Sequence, residues 1–181
     1  MSEKDLCMSR EINLEADFLD FIALCNKHEV RYLVIGGYAV SIHGYPRSTK
    51  DMDVCIEISE DNAAKMIYVI KDFGFGSLNL SKADFLNKSF ITQLGYEPLR
   101  IDILNDLDGV AFEEAWKNKK VVEISGVSIN FIGYNELAHK QELVSPNTKK
   151  ASGWISSKSG SILIKIFPTV SVAVLPAASK K

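Results

Sequence analysis

Three aspartates have the residue type and spacing that metal-dependent phosphate chemistry requires. Asp51 and Asp53 are two residues apart in a segment that alternates apolar and polar residues. In a β-strand, this spacing makes both carboxylates project from the same face. Two carboxylates held close together repel each other unless a cation lies between them. Because Mg²⁺ typically binds a few carboxylates together with substrate phosphates, the pair indicates a site for a metal-bound phosphate.

Asp102 extends this pattern from a later part of the chain. Ile101 and Ile103 flank it, which predicts a strand with both isoleucines in the core and the carboxylate on the other side. If this strand lies beside the strand of Asp51 and Asp53, the three carboxylates share one surface. Two-metal phosphoryl chemistry uses such an arrangement, with the ions roughly 3.5–4 Å apart. We therefore expect these three aspartates to be the catalytic and metal-binding residues.

A glycine pair, Gly36 and Gly37, follows an apolar and β-branched segment at 30–35. Glycines at the end of a strand permit positive φ and let backbone N–H groups approach a ligand closely. The helix that we predict after them adds further N–H donors and a dipole that favours phosphate. A Gly-Gly phosphate cradle beside a carboxylate pair is therefore a coherent site for a metal-bound triphosphate.

Hydrophobic periodicity predicts alternating helices and strands that would position these residues. Helical spacing covers 12–28, 38–43, 59–73, 82–87, 112–116 and 135–143. Strand patterns cover 30–35, 51–58, 90–94, 99–104, 121–124 and 127–132, and Ser125-Gly126 is a candidate two-residue hairpin turn. We therefore expect an α/β or α+β fold, with a mixed sheet of about five strands flanked by helices.

The glycine pair and the aspartate pair occur in one ordered motif. The stretch 33–40, followed by His43-Gly44, Arg47, Thr49 and the Asp-x-Asp pair, resembles the signature of the DNA polymerase β-like nucleotidyltransferase superfamily. It is similar to the small prokaryotic branch that includes minimal nucleotidyltransferases and abortive-infection toxin–antitoxin proteins. In that superfamily a Gly-Gly or Gly-Ser pair precedes an Asp-x-Asp strand, and a later aspartate completes the metal site. The similarity runs over roughly 18–140.

This resemblance implies a nucleotidyltransferase fold that uses two Mg²⁺ ions and a nucleoside triphosphate. It implies Gly36 and Gly37 at the triphosphate, Asp51 and Asp53 on the metal ions, and Asp102 as the third carboxylate. The expected nucleotide-binding residues are completed by Arg47, Thr49 and Lys140.

Several of these side chains also have plainer interpretations. The guanidinium of Arg47 can donate to phosphate, and a surface ion pair is the alternative. Thr49 is also suited to orient the turn before the strand. His43 could touch substrate or lie partly buried at a helix end, and Lys140 could reach the triphosphate or lie on a solvated helix face.

Composition limits the class of protein. Of the 181 residues, 46% are hydrophobic and 24% are charged, which is ordinary for a globular protein with a core. A net charge of −2 argues against a general nucleic-acid coating protein. Three cysteines are too few and too scattered for a disulfide framework or a zinc site. With no apolar run resembling a signal peptide at 1–10, we expect a cytoplasmic protein.

The end of the chain differs from the rest. We expect a nucleotidyltransferase domain over 1–148 and an atypical, poorly structured tail over 149–181. The resembled branch continues with a Lys-Asp-x-x-Asp helix, but from Trp154 onward this sequence does not. The apolar run at 161–178 is shorter than the roughly 20 residues of a membrane helix and contains proline. A membrane anchor is therefore disfavoured. Because the expected helix is missing from the tail, the sequence does not decide whether the domain is catalytically active.

The activity expected from these features is transfer of a nucleoside monophosphate to an acceptor hydroxyl, with release of pyrophosphate. The acceptor could be a tRNA, a protein or a small molecule. The alternative is a non-catalytic nucleotide-binding module, or a toxin–antitoxin partner, of the same fold.

Overall fold

A computed structural model of the chain describes residues 14–45, 48–96 and 99–138. Two of the predicted nucleotide-binding residues, Arg47 and Lys140, lie outside these ranges, as do the predicted boundary at 148 and the whole tail. Within the ranges, helices and strands alternate as the hydrophobic pattern predicts.

The helices of the described ranges lie close to their predicted positions. They are α1 (Ala16–Lys27), α2 (Gly36–Ile42), α3 (Glu60–Ile70), α4 (Lys82–Leu86) and α5 (Phe112–Lys117). Residues 134–138 are also helical. None of the helices in this part of the chain is long and apolar enough to cross a membrane.

The strands form one mixed sheet. They are β1 (Tyr32–Ile35), β2 (Asp51–Ile56), β3 (Ile91–Tyr96), β4 (Leu99–Leu104), β5 (Lys120–Ile124) and β6 (Val127–Phe131). Their order is β3-β4-β2-β1-β6-β5. The pairs β2–β4 and β1–β6 are parallel, and the other neighbours are antiparallel. The expected α+β fold with a mixed sheet is confirmed, with six strands in the described ranges instead of about five.

The helices cover the sheet with their apolar faces. In α1, Phe18, Phe21, Ile22 and Cys25 recur at helical spacing and are buried, so one side of the helix is apolar and packs against β6 and α3. Burial of four such side chains is the main force that holds this helix in place.

Helix α3 begins and ends close to the predicted residues. Its start is set by Ser59, whose hydroxyl accepts a hydrogen bond from the Asn62 backbone N–H at 3.2 Å. The α-helical hydrogen bonds end at Ile70, and a π-type turn over Lys71–Phe75 follows. Within this turn only Gly74, with a φ of +99°, leaves the helical region, so the helical backbone reaches Phe73, as predicted, and stops at this glycine.

The register of the sheet aligns four residues on four adjacent strands. Ile35 on β1 is the partner of Asp53 on β2, Asp53 is the partner of Asp102 on β4, and Asp102 is the partner of Gln93 on β3. Because Ile35 is the last residue of β1, the turn into α2 begins at this row.

Candidate active site

The three predicted carboxylates lie together in the sheet. Strands β2 and β4 are parallel neighbours, and Asp53 is the register partner of Asp102. Asp51 lies two residues before Asp53 on β2, so it projects from the same face. Asp51 and Asp102 are partly buried, with 31% and 14% of their side chains exposed. The strand pairing that the sequence analysis required of Asp102 is therefore present, and its catalytic role stays a prediction.

Arg100 joins two of these carboxylates. Its Nε donates to Oδ1 of Asp102 at 2.7 Å, and its Nη2 donates to Oδ2 of Asp102 at 3.1 Å. The same Nη2 lies 3.1 Å from Oδ2 of Asp51, which is the register partner of Arg100. Charge-assisted hydrogen bonds of this two-pronged kind are stronger than neutral ones. One guanidinium therefore contacts two carboxylates and compensates one of their two negative charges.

The glycine pair lies against the start of β2. A methyl group on Gly36 would overlap with Oδ2 of Asp53, and one on Gly37 would come within 2.6 Å of Cβ of Thr49. Gly36 also has a φ of +64°, which side chains disfavour. Side chains of the β2 region thus occupy the space beside both glycines. Four of the predicted site residues are brought into direct proximity in this way.

Thr49 stabilises the approach to β2. Its hydroxyl donates to the backbone carbonyl of Asp51 at 3.1 Å. This contact agrees with the expectation that Thr49 orients the turn before the strand. Its contact with a nucleotide stays a prediction.

An aromatic cluster lies at the end of α2. His43 follows the last residue of α2, and its Nε2 lies 2.8 Å from the carbonyl oxygen of Ile132. His43 is therefore a partly buried residue at a helix end, the alternative that the sequence analysis weighed against a substrate contact. Tyr134 packs edge-on against His43 and nearly parallel to Tyr45. A hydrogen bond with Tyr45 raises the pKa of Tyr134.

The donor chemistry of the three aspartates fits a hard divalent cation, which prefers carboxylate oxygens. The arrangement of the side chains does not match a finished metal site. Within the described ranges, no three Asp, Glu, His or Cys side chains are grouped closely enough to hold a metal ion. Arg100 instead supplies a positive charge to Asp51 and Asp102. The Mg²⁺ site expected from the sequence therefore stays a prediction.

The role of Arg100 was not predicted from the sequence, although part of the signal was present. The alternation that places Asp102 opposite Ile101 and Ile103 also places Arg100 on the face of Asp102. The contact between Arg100 and Asp51 depends on the register of β2 against β4, which the local pattern does not contain.

Two surface cavities of the described part lie away from the aspartates. One, of about 340 Å³, is lined by residues of α3 and the turns after it. The other, of about 300 Å³, is lined by residues at the end of β2 and by the start of α5, including Glu57, Asn105 and Phe112. Neither cavity is lined by Asp51, Asp53 or Asp102. The candidate active site is therefore identified by the chemistry of its side chains and not by a cavity.

Comparison with known proteins supports the fold. No protein-family model and no curated protein matches the chain. Among solved structures, the chain resembles a protein from Thermotoga maritima that is provisionally named a nucleotidyltransferase, with a TM-score of 0.50. The two are 17% identical, and the match covers 70% of this chain and 81% of the other. The domain therefore has the nucleotidyltransferase fold. At this identity the similarity identifies neither a particular branch of the superfamily nor a substrate.

Proposed function

We propose that this protein transfers a nucleoside monophosphate from a nucleoside triphosphate to an acceptor hydroxyl and releases pyrophosphate. The observation that carries the proposal is the pairing of Asp53 with Asp102 on adjacent parallel strands, with Gly36 against the carboxylate of Asp53. This places two acidic side chains beside a glycine turn on a fold shared with a provisionally named nucleotidyltransferase.

In this proposal Asp51, Asp53 and Asp102 would together hold two Mg²⁺ ions. Bound Mg²⁺ would neutralise phosphate charge and polarise the α-phosphate. The backbone N–H groups of Gly36 and Gly37 position the β- and γ-phosphates. Thr49 keeps the start of β2 in place, as its hydrogen bond to the Asp51 carbonyl indicates. Most of the rate enhancement would then come from alignment and charge stabilisation.

The transfer itself is a displacement at phosphorus. The acceptor oxygen forms a bond to the α-phosphorus while the bond from that atom to the bridging oxygen of the β-phosphate breaks, so pyrophosphate leaves. Asp102 helps to remove the proton of the acceptor hydroxyl. Asp102 is suited to this role by position, because it is the register partner of Asp53 on the adjacent parallel strand.

A second candidate is a nucleotide-binding module that does not catalyse transfer. The contacts of Arg100 favour it, because they engage two of the three carboxylates that the reaction needs. Such a module would bind nucleotides and release no pyrophosphate.

Thermal unfolding with ATP, GTP, CTP or UTP, each with and without Mg²⁺, tests the proposed site. Ligand at 100 times its Kd adds about 2.7 kcal/mol of stability, which is easily measured as a raised midpoint. We expect stabilisation that needs both a nucleotide and Mg²⁺ and is lost in Asp53→Asn. Asp72→Asn is the matched control, because Asp72 pairs with Lys27 and His28 away from the site.

The outcomes separate the candidates. Stabilisation together with pyrophosphate release supports the transferase, and stabilisation without release in the presence of varied acceptors supports the silent module. If no nucleotide raises the unfolding midpoint of the wild-type protein, the nucleotide site is wrong. If Asp53→Asn is stabilised as much as the wild type, the assignment to Asp53 is wrong.

A further inference from the structure

Arg100 makes the contacts that a bound cation would make to Asp51 and Asp102. Its Nη2 atom lies 3.1 Å from Oδ2 of both Asp51 and Asp102. The two carboxylates therefore reach one common point, and a positive charge occupies it. Only 27% of the Arg100 side chain is exposed, so this charge is partly shielded from water and interacts strongly with its partners.

A metal ion bound by Asp51 and Asp102 would need the carboxylate oxygens that now accept hydrogen bonds from Arg100. Carboxylate oxygens that accept hydrogen bonds from a guanidinium have fewer lone pairs to offer a metal, and two cations at one point repel each other. Metal binding to Asp51 and Asp102 therefore competes with Arg100. This competition agrees with the arrangement of the side chains. In the described ranges, no three Asp, Glu, His or Cys side chains lie close enough together to hold a metal ion.

We propose that Arg100 is the resident counter-ion of the site and must leave Asp51 and Asp102 before these aspartates hold a metal ion. The inference depends on the proposed function in one respect, which is that the metal binds to these aspartates. It adds that the wild-type protein binds a divalent metal weakly until a nucleotide is present.

The nucleotide is a suitable second partner for the released side chain. A guanidinium presents a planar fork of donors that matches phosphate oxygens. A triphosphate held near Gly36 would offer such oxygens beside Asp53, which is the register partner of Asp102. Transfer of Arg100 from the aspartates to the phosphates would free the metal ligands. Nucleotide and metal would then each raise the affinity for the other, as linkage requires.

A second arginine in the same protein provides a matched control. Arg31 contacts Glu57 and Glu113 and stacks on Trp116. This cluster also has one guanidinium between two carboxylates. It lies beyond the opposite end of β2, where the backbone N–H of Glu57 donates to the carbonyl of Arg31.

Titration with Mn²⁺ in the absence of nucleotide tests the inference. Binding is followed by calorimetry or by the loss of the electron paramagnetic resonance signal of free Mn²⁺. The wild type, Arg100→Met and Arg31→Met are compared. We expect Arg100→Met to bind Mn²⁺ about tenfold more tightly than the wild type, within the usual range of coupling between sites. Arg31→Met should leave the affinity unchanged. Equal affinities of Arg100→Met and the wild type would overturn the inference, as would an equal gain in Arg31→Met.

Two further variants keep the test decisive. Adding Asp51→Asn to Arg100→Met should remove the gain, because Asp51 is one of the two carboxylates that loss of Arg100 frees. Persistence of the gain would show that the metal binds elsewhere. If Arg100→Met does not fold, Arg100→Lys replaces it, because one ammonium group cannot reproduce the two-pronged contact with Asp102. Its affinity for Mn²⁺ should lie above that of the wild type, and an unchanged value would contradict the proposal.

Nucleotide titrations separate this inference from the proposed function. With ATP present, the Mn²⁺ affinity of the wild type should rise more than that of Arg100→Met, because the variant has no guanidinium to displace. An equal rise in both proteins would overturn the inference and leave the nucleotide site standing. Failure of ATP and Mg²⁺ to stabilise the wild-type protein would instead overturn the proposed function.

Discussion

The carboxylate of Asp53 fills the space beside the α-carbon of Gly36. A methyl group on Gly36 would overlap with Oδ2 of Asp53, and Gly36 has a φ of +64°. The sharp turn from β1 into α2 and the position of the Asp53 carboxylate are therefore coupled, because each is compatible with the other only when residue 36 has no side chain.

Gly36→Ala should consequently impair the site more than the fold. Positive φ costs an alanine about 1 kcal/mol, and the added methyl group forces Asp53 to rotate. We expect loss of the stabilisation by nucleotide and Mg²⁺, measured by thermal unfolding. Gly126→Ala is the control, since Gly126 has a φ of +79° with no atom within 4 Å of the added methyl group.

The control variant should lose a similar amount of stability and keep its nucleotide response. Full nucleotide-dependent stabilisation of Gly36→Ala would show that the position of the Asp53 carboxylate does not matter. A loss of that response in Gly126→Ala would show that general destabilisation, not the position of Asp53, explains the result.

The position of Asp102 shows how far the sequence alone could lead. Alternation with Ile101 and Ile103 was enough to place its carboxylate away from the core, because successive side chains of a strand face opposite sides. Its pairing with Asp53 could be expected only from the superfamily resemblance. Which strands become neighbours, and in what register, depends on contacts between distant parts of the chain. For the same reason the bridge from Arg100 to Asp51 was missed.

Local turn chemistry was predicted well in two places. Ser125-Gly126 forms the expected hairpin turn, and both residues have positive φ, as a type I′ turn requires. Helix α3 was expected to end near Phe73, and Gly74, with its φ of +99°, ends the helical backbone there. The local pattern did not contain the π-type turn over Lys71–Phe75. In this turn Phe73 packs on Phe21 of α1, a contact between distant parts of the chain.

Asp102→Asn should separate binding from chemistry. Asp51 and Asp53 remain to hold metal and triphosphate, so nucleotide-dependent stabilisation should persist. Loss of the carboxylate that helps to deprotonate the acceptor should lower the transfer rate by about 10²–10⁴-fold, the usual range for a general base. Rates of pyrophosphate release and unfolding midpoints measure the two effects. A transfer rate equal to that of the wild type would remove Asp102 from the reaction.

Burial of Cys25 makes stability depend on pH in the alkaline range. Full burial raises the pKa of this thiol well above its ordinary value. The unfolded chain releases the thiol proton from about pH 8.5 upward, whereas the folded protein keeps it. Above that pH the unfolded state binds fewer protons, so the free energy of unfolding falls as pH rises. Below about pH 8 the thiol contributes no slope.

Cys25→Ala should reduce this slope. Between about pH 9 and 10 the reduction should approach 1.4 kcal/mol per pH unit, the value for one proton. Urea unfolding from pH 7 upward under reducing conditions measures it, and slopes are compared because the variant also loses packing in the core. Burial likewise raises the pKa of Tyr32, so a residual slope should appear above about pH 10. Identical slopes in both proteins would contradict the prediction.

Asn62 holds α3 to the sheet through one buried side chain. Its Oδ1 accepts from the backbone N–H of Arg31 at 2.8 Å, and its Nδ2 donates to the carbonyls of Arg31 and Glu57 at 3.1 and 2.9 Å. Only 2% of Asn62 is exposed, so water cannot replace these partners without rearrangement. Asn62→Ala should therefore lower the free energy of unfolding by about 3 kcal/mol, because buried backbone groups would lose their hydrogen bonds.

The same variant distinguishes the fold from the site. Glu57 lies just beyond the end of β2, whereas Asp51 begins that strand, so the carboxylates should keep their positions. Asn62→Ala should retain the full rise in unfolding midpoint with nucleotide and Mg²⁺, from a lower starting value. Asn87→Ala, which removes one exposed hydrogen bond from the Ser89 backbone N–H, should cost under about 1 kcal/mol. If Asn62→Ala folds and loses its nucleotide response, the two ends of β2 are coupled, and the prediction that the Asn62 contacts do not affect the aspartates is wrong.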